Sequence, residues 1–340
     1  MANEQYGRIL DGDIEVIKAS FDEFSQQPVD QQMFSENGDG FSPNLTTIAK
    51  PVSVTGPGTF LGKAQRTLRL EPCDRRGWWF ERTDLVDDMP IPVSVNAVWT
   101  TVRNIVLRSG SPHNYMRMVE HIIALKLGMG IDSLMISMDS GDPPLFDRGS
   151  MDLVEALEDA GTLALDKKAA YLTVKEPVSM VGPGGSFLTF LPAENNKRSL
   201  SVDCAINFSN AIGKQRIQFD VTAKSFRHGA LARTNTTSLM MLYCKTIGKI
   251  FADTRNLGYT TKNILVAGKK QYVNEPYLMH EGKSLEAVWH RACLDLLAAV
   301  ALTNRTRFAG KILSYKAGHS LDVKMMRRLH KLDLLEVVEI

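Results

Sequence analysis

A short pattern occurs twice in the sequence, and this repeat constrains the fold more than any other feature. Residues 51–54 (Pro-Val-Ser-Val) lead into a Gly-Pro-Gly turn, and residues 177–180 (Pro-Val-Ser-Met) do the same. Each matched pair is offset by 126 residues, as in 52 to 178 and 57 to 183. A single repeat at this spacing indicates a duplicated domain, because solenoid repeats recur every 20–50 residues or so. We therefore expect two similar halves, starting near Lys50 and near Leu172.

The predicted elements follow the same order in both halves. Alternating strand patterns come first, and an apolar helix, a short strand and another helix follow. The apolar helices span Val119 to Leu127 in the first half and Thr237 to Phe251 in the second, where a long helix from about Ser284 to Leu302 follows. This order predicts an α+β fold of two layered domains that arose by internal duplication. We expect the domains to span residues 48–165 and 166–340.

Residues 1–47 form a separate, polar N-terminal extension. The segment is acidic and contains helix-breaking clusters at residues 26–28 and 37–40. Only Ile14 to Phe24 has a pattern that can form one short helix. We interpret the extension as an adaptor outside the catalytic core.

Composition excludes several classes of function. The 40 basic and 38 acidic residues give a net charge of only +2, so no global field favours nucleic acid. The four cysteines are widely spaced, which indicates reduced thiols and gives no thiolate metal site.

No apolar run reaches the ~20 residues of a spanning helix and the N-terminus lacks a signal pattern, so we expect a cytoplasmic protein. A basic face on the last helix, residues 321–331, allows at most peripheral membrane contact.

Glu120 and His121 stand side by side at the start of the first apolar helix. A carboxylate next to a histidine there suits a general base beside a metal ligand. The alternatives are a glutamate that complements the helix dipole and a partly buried histidine without a ligand. The pair indicates a metal site only if other parts of the chain supply partners.

Several collinear runs resemble the UDP-3-O-acyl-N-acetylglucosamine deacetylases, the zinc amidohydrolases of lipid A synthesis. The resemblance covers about Ile48 to Leu329 and leaves the extension unexplained. The runs that carry it are Met118 to His121, Leu127 to Asp132, Pro144 to Ser150, Arg82 to Leu85, Ile206 to Phe208, Ile212 to Gln215, Ala232 to Thr234 and Ala317 to Leu321.

The resemblance implies a zinc ion held by two histidines and an aspartate, with one position open for water. Carried over by position, His121 is the first ligand, Asp295 the aspartate ligand, Glu120 the general base and His319 the acid or electrostatic partner. The implied substrate is a UDP-linked, acylated amino sugar. Its predicted contacts are Asn207 and Phe208, beside the uracil, and Arg233. The segment from Thr236 to Val266 would form the passage for the acyl chain.

The expected second histidine ligand is displaced by one residue. The resemblance places it four residues before Asp295, where Arg291 stands, whereas His290 lies five residues before. In an α-helix a separation of four leaves side chains about 40° apart, and five leaves about 140°. We therefore assign His290 as the third ligand on condition that the helix contains a π-bulge. Without such a bulge, Asp295 would instead form an ion pair with Arg291. His280 is then the candidate for a substitute metal ligand.

Other departures leave three hypotheses for the function. The resemblance places a supporting aspartate at Ala299, a phosphate-binding lysine at Ala292 and an acidic residue at Asn207. The first hypothesis is a zinc-dependent deacetylase acting on the UDP-acyl sugar. The second is a metal-free, catalytically impaired descendant with a binding or structural role. The third is a deacetylase for another acetylated sugar.

Overall fold

The protein is represented by a computed structural model, which describes residues 5–36, 38–59, 64–87, 89–194, 197–237 and 259–338. The predicted apolar helix from Thr237 to Phe251 falls almost entirely outside these ranges. Helices and strands both contribute, so the predicted α+β class is confirmed. In the described ranges, no helix combines the length and the apolar composition that crossing a bilayer requires.

The strands are, in chain order, β1 (Arg8–Asp11), β2 (Gln31–Met33), β3 (Asn44–Ile48), β4 (Val52–Pro57), β5 (Gln65–Glu71), β6 (Gly77–Arg82), β7 (Ile91–Pro92), β8 (Val98–Thr100), β9 (Val106–Arg108), β10 (Tyr115–Met116), β11 (Ser133–Met138), β12 (Thr162–Lys168), β13 (Tyr171–Val174), β14 (Val178–Val181), β15 (Phe187–Leu191), β16 (Leu200–Asn207), β17 (Lys214–Asp220), β18 (Thr234–Thr237), β19 (Ile264–Ala267), β20 (Met279–His280), β21 (Lys283–Ser284), β22 (Arg307–Phe308), β23 (Gly310–Tyr315) and β24 (Leu335–Val337).

The helices are α1 (Ile14–Gln26), α2 (Glu120–Gly128), α3 (Met151–Ala160), α4 (Ala223–Gly229), α5 (Glu286–Trp289), a π-helix (His290–Leu296), α6 (Leu297–Ala301) and α7 (His319–Lys331). The predicted long helix of the second half is therefore present, but the π-helix interrupts it between α5 and α6. The helix predicted in the extension is confirmed as α1.

The main sheets of the two halves have the same topology. The first sheet has the order β4-β5-β11-β6-β7, and the second contains β14-β15-β23-β16-β17. The central strand of the first sheet, β11, is antiparallel to β5 and parallel to β6. The central strand of the second sheet, β23, is likewise antiparallel to β15 and parallel to β16. This shared order is consistent with the predicted duplication.

The helices of the two halves pack against each other. Helix α2 contacts α6 and the π-helix, and all three elements are almost entirely buried. Apolar side chains of both halves join one core, from Ile48 in the first to Leu334 in the second. This packing brings the start of α2 close to the π-helix, which positions the candidate site.

The N-terminal extension is part of the second sheet. Strand β1 pairs with β14 at one edge and β2 pairs with β17 at the other, both parallel. Helix α1 covers the sheet between them, where Phe24 packs against Phe187 and Tyr315 at ring-centroid distances of 5.5 and 5.9 Å. The extension therefore completes the second half and supplies a separate small core.

One buried arginine links three parts of the chain. Arg307 makes a bidentate ion pair with Asp132 of the first half, at 3.0 and 2.7 Å. It also donates to the Ser42 carbonyl, at 2.7 Å, and to the Tyr171 hydroxyl, at 2.9 Å. Because the pair is almost fully buried, its partners must stay together for the charges to remain neutralised.

Two phenylalanines of the extension test whether α1 contributes to stability. Phe24 is 2% exposed and Phe34 is 59% exposed. We expect Phe24→Ala to lower the free energy of unfolding by about 3–5 kcal/mol, because it opens a cavity in the aromatic cluster. The matched control Phe34→Ala should change it by no more than about 0.5 kcal/mol. Urea unfolding measures both, and equal effects would contradict a packed α1.

Candidate active site

A cavity lies between the two halves and collects side chains from distant parts of the sequence. Glu120 and His121 come from α2, His290 and Asp295 from the π-helix, and His319 from the start of α7. The other walls are formed by first-half and second-half segments: Thr59, Arg103, Asn104, Met118, Ile122, residues 143–146, Gly149, Leu153, Thr234 and Tyr259. The structure thus brings together all five residues predicted to bind metal or to catalyse.

Helix α2 presents its first two residues to this cavity. Met118, two residues before the helix, has φ of 52°, a left-handed conformation that redirects the chain. Glu120 is buried, and its carboxylate accepts a hydrogen bond from the backbone N–H of Ile105. Burial raises the pKa of Glu120, and nearby His319 opposes this shift. A carboxyl group with a raised pKa in a closed site is suited to proton transfer.

The π-helix explains how His290 and Asp295 reach the same cavity. Its i→i+5 hydrogen-bonding pattern places residues five apart on one side. The Nδ1 atom of His290 lies 3.6 Å from Oδ2 of Asp295. The side chain of Arg291 extends from a different side of the π-helix and forms an ion pair with Asp322 at 2.6 Å. The condition for His290 is therefore met, and the alternative ion pair between Arg291 and Asp295 is wrong.

Two histidine rings converge in the cavity. The Nε2 atoms of His121 and His290 lie 3.0 Å apart, and the Thr234 hydroxyl is 3.3 Å from the first and 3.0 Å from the second. Burial and the neighbouring His290 lower the pKa of His121 to about 3. Burial also lowers the pKa of His290. Both rings are therefore neutral at pH 7, the form in which imidazole binds metals.

The pKa shifts of Asp295 and His319 favour the charged form of each. Burial favours the neutral form of Asp295, but His319, His290 and Arg291 outweigh it and hold its pKa below the usual value. His319 has its Nε2 atom 3.5 Å from Asp295 Oδ1 and 3.9 Å from Glu120 Oε1. Burial would lower the pKa of His319, yet the carboxylates of Asp295, Glu120 and Asp322 together raise it. A protonated His319 can stabilise negative charge or donate a proton.

The donor set has the chemistry of an open zinc site. Two neutral imidazoles and one carboxylate are typical ligands of catalytic zinc. The 3.0 Å between the two Nε2 atoms is close to the roughly 3.3 Å edge of a tetrahedron with Zn–N bonds of 2.0–2.1 Å. Asp295 lies on the Nδ1 side of His290, and among the described residues no three such side chains already stand in ligating geometry. The donors thus fit zinc by type, and Asp295 must reorient to join them.

The predicted substrate contacts lie apart from these side chains. Asn207 ends β16 and Phe208, which is 41% exposed, begins the turn after it. Arg233 is buried and pairs with Glu286 through two hydrogen bonds, while its guanidinium lies over the Tyr277 ring. None of the three predicted contacts is among the described cavity-lining residues. Their contact with a substrate stays a prediction.

His280 does not take the place of a ligand. It belongs to the β20–β21 hairpin and affects the pKa of His228, outside the set of described cavity-lining residues. Thr234, by contrast, reaches both ligand histidines. Sequence analysis quoted the run that contains Thr234 but chose its neighbour Arg233. Strand β18 begins at Thr234, which only the folded chain shows, and the side chains of neighbouring residues there point in different directions.

Comparison with known proteins agrees with this arrangement. A family model for UDP-3-O-acyl N-acetylglycosamine deacetylases matches residues 45–331. The chain belongs to this family. The matched range contains the five cavity residues predicted to bind metal or to catalyse, and it excludes α1.

Two curated relatives show how far the similarity extends. A UDP-3-O-acyl-N-acetylglucosamine deacetylase of Trichormus variabilis is 29% identical over 293 residues, which cover 83% of this chain and 97% of the relative. The protein of the same name from Brucella ovis is 27% identical over 287 residues, or 83% and 94%. The similarity therefore spans nearly the full length of both relatives.

Replacing Arg233 tests whether it supports the fold or contacts substrate. We expect Arg233→Met to lower the free energy of unfolding by about 3–5 kcal/mol, because Glu286 stays buried without its counter-charge. The control Arg148→Met removes an arginine that is 44% exposed and should cost no more than about 1 kcal/mol. Unchanged stability with weaker substrate binding would instead support the predicted substrate role.

Proposed function

We propose that the protein is a zinc-dependent deacetylase that hydrolyses the N-acetyl group of a UDP-linked, acylated amino sugar. The observation that supports this most is the convergence of His121, His290 and Asp295 beside Glu120 and His319, despite the displaced histidine. The names of the two relatives, both UDP-3-O-acyl-N-acetylglucosamine deacetylases, support this substrate class. His121, His290 and Asp295 would hold the metal, which when bound lowers the pKa of a water molecule and polarises the amide carbonyl.

The protein side chains would then handle the protons. Glu120 takes a proton from the attacking water, whose oxygen forms a bond to the acetyl carbon. The C–N bond breaks, acetate forms, and the amine leaves with a proton. His319 stabilises the negative charge on the carbonyl oxygen or protonates the amine, and both tasks suit its raised pKa. The Thr234 hydroxyl, 3.3 Å from His121 Nε2 and 3.0 Å from His290 Nε2, adds a further donor beside the histidine pair.

The walls of the cavity fit a substrate with an apolar part. Leu145, Phe146, Leu153, Ile122 and Met118 are among the residues that line the cavity. These apolar side chains would contact the acyl chain, while the charged groups of Glu120, Asp295 and His319 would meet the amide that reacts. The predicted passage residues 238–258 lie outside the described ranges.

A metal-free descendant is the second candidate. The orientation of Asp295 toward His290 Nδ1, away from the His121–His290 contact, favours it. Arg291 also brings a permanent cation close to the cavity, which lowers the pKa of Asp295 without any metal. In this case the cavity would bind a ligand without hydrolysing it.

Metal analysis separates the two candidates. We expect about one zinc ion per chain in the purified protein. His290→Ala should remove it, because two ligands hold zinc far more weakly than three. The control His280→Ala changes a histidine of the hairpin and should leave the zinc content unchanged. Absence of zinc after incubation with the metal, or retention of zinc by His290→Ala, would contradict this assignment.

The role of Glu120 is tested separately from metal binding. Glu120→Gln keeps the shape of the side chain but cannot accept the proton of water. We expect kcat for deacetylation to fall about 10²–10⁴-fold while zinc content and the KM stay near those of the unmodified protein. Assay of released acetate measures the rate. A variant that retains its full kcat would rule out Glu120 as the base.

A further inference from the structure

A buried ion pair between Arg291 and Asp322 lies next to the catalytic cluster, which comprises Glu120, His121, His290, Asp295 and His319. Arg291 Nη2 donates to Asp322 Oδ1 at 2.6 Å, and the side chains are 7% and 0% exposed. Arg291 Nε also donates to the Ala317 carbonyl at 2.8 Å, and Nη2 lies 3.3 Å from the Ser314 hydroxyl. The pair thus holds the turn that leads into α7 against the π-helix.

Three polar atoms around this pair have no hydrogen-bond partner among the described residues. They are Nη1 of Arg291, Oδ2 of Asp322 and Nδ1 of His319, and all three are buried. Leaving such groups buried and unsatisfied is unfavourable, so three on residues that interact with one another indicate a shared partner. Two of the atoms are donors, N–H groups of Arg291 and His319, and the third is a carboxylate acceptor.

His319 and Asp322 are also placed to interact. They are three residues apart on α7, a spacing that puts side chains on the same helix face. Asp322 is one of the three carboxylates that raise the pKa of His319, and burial raises the pKa of Asp322 itself although Arg291 and His319 oppose this shift. The Nε2 atom of His319 faces Asp295 and Glu120, so Nδ1 is the nitrogen left for Asp322.

We propose that Asp322, held by Arg291, is a positioning residue for His319. Nδ1–H of His319 donates a hydrogen bond to one water molecule, which Arg291 Nη1 also contacts and which donates to Asp322 Oδ2. This hydrogen bond fixes the ring and keeps hydrogen on Nδ1, so that Nε2 is the atom presented to the cavity. The proposal rests on the proposed function only where it concerns the rate of the reaction.

The proposed contact between Asp322 and His319 also assigns a role to Arg291. Asp322 is fully buried, and without a cation burial would drive it to the neutral form. The π-helix turns Arg291 away from Asp295 and toward Asp322, so that the residue beside the ligand histidine supports the second histidine. A single backbone irregularity therefore positions His290 on one side and, through Asp322, His319 on the other.

Two charge-neutral double variants isolate the acceptor. Arg291→Met with Asp322→Asn removes the ion pair but keeps a carbonyl oxygen for Nδ1–H. Arg291→Met with Asp322→Leu removes the pair and the acceptor. We expect the first to retain kcat within about threefold and the second to lose at least about tenfold, with KM and zinc content unchanged in both. Equal kcat values in the two variants would overturn the positioning role.

Histidine-ring NMR gives a readout that does not depend on activity. In protein labelled with ¹⁵N-histidine and assigned with His319→Gln, Nδ1 of His319 should carry hydrogen in the unmodified chain and in the Asn double variant. The Leu double variant should lose this slowly exchanging signal. An unprotonated Nδ1 in the unmodified chain would overturn the proposal even if the Leu variant fails to fold. Absence of deacetylation with Nδ1 protonated would reject the proposed function alone.

Discussion

The site depends on one departure from α-helical geometry. His290 and Asp295 are separated by five residues, and a regular helix would point them in different directions. The π-helix from His290 to Leu296 places them on one side, 3.6 Å apart. π-Helical turns are rare, and those that occur are frequently found at functional sites. Their hydrogen-bond geometry is less favourable than that of an α-helix, so the surrounding structure must support them. Here α2 packs against the π-helix, and buried Leu294 and Leu296 anchor it in the core.

Electrostatics in the cavity follows from the same packing. His121 and His290 face each other, and burial outweighs the nearby Asp295 carboxylate and keeps both rings neutral. His319 lies between the carboxylates of Asp295 and Glu120, which favour its protonated form. The pKa values of the three histidines thus shift in different directions, down for His121 and His290 and up for His319, and each direction matches the role suggested by position: metal ligand or acid.

Sequence analysis predicted the α+β class, the repeated order of strands and the residues of the catalytic cluster, because these depend on local pattern or on collinear resemblance. It predicted a long helix over Ser284 to Leu302 and named a π-bulge only as the condition for His290, since hydrophobic periodicity does not reveal an extra residue in one turn. Its alternative, an ion pair between Arg291 and Asp295, does not form, because Arg291 pairs with Asp322. Partners such as Thr234 and Asp322 lie far from His121 and Arg291 in sequence, so only the folded chain brings them together.

The extension has a consequence for the edges of the second sheet. Strands β1 and β2, which lie before the range that the family model matches, are its two outer strands in place of β14 and β17. The three-residue β2 therefore ends the sheet beside the seven-residue β17, and a short edge strand offers few free N–H and C=O groups to a strand of another molecule. Helix α1 in the same way covers the aromatic side chains of Phe187 and Tyr315. A chain shortened to the matched range would keep the five cavity residues but expose the longer edge of β17 and this aromatic face, and both features favour aggregation.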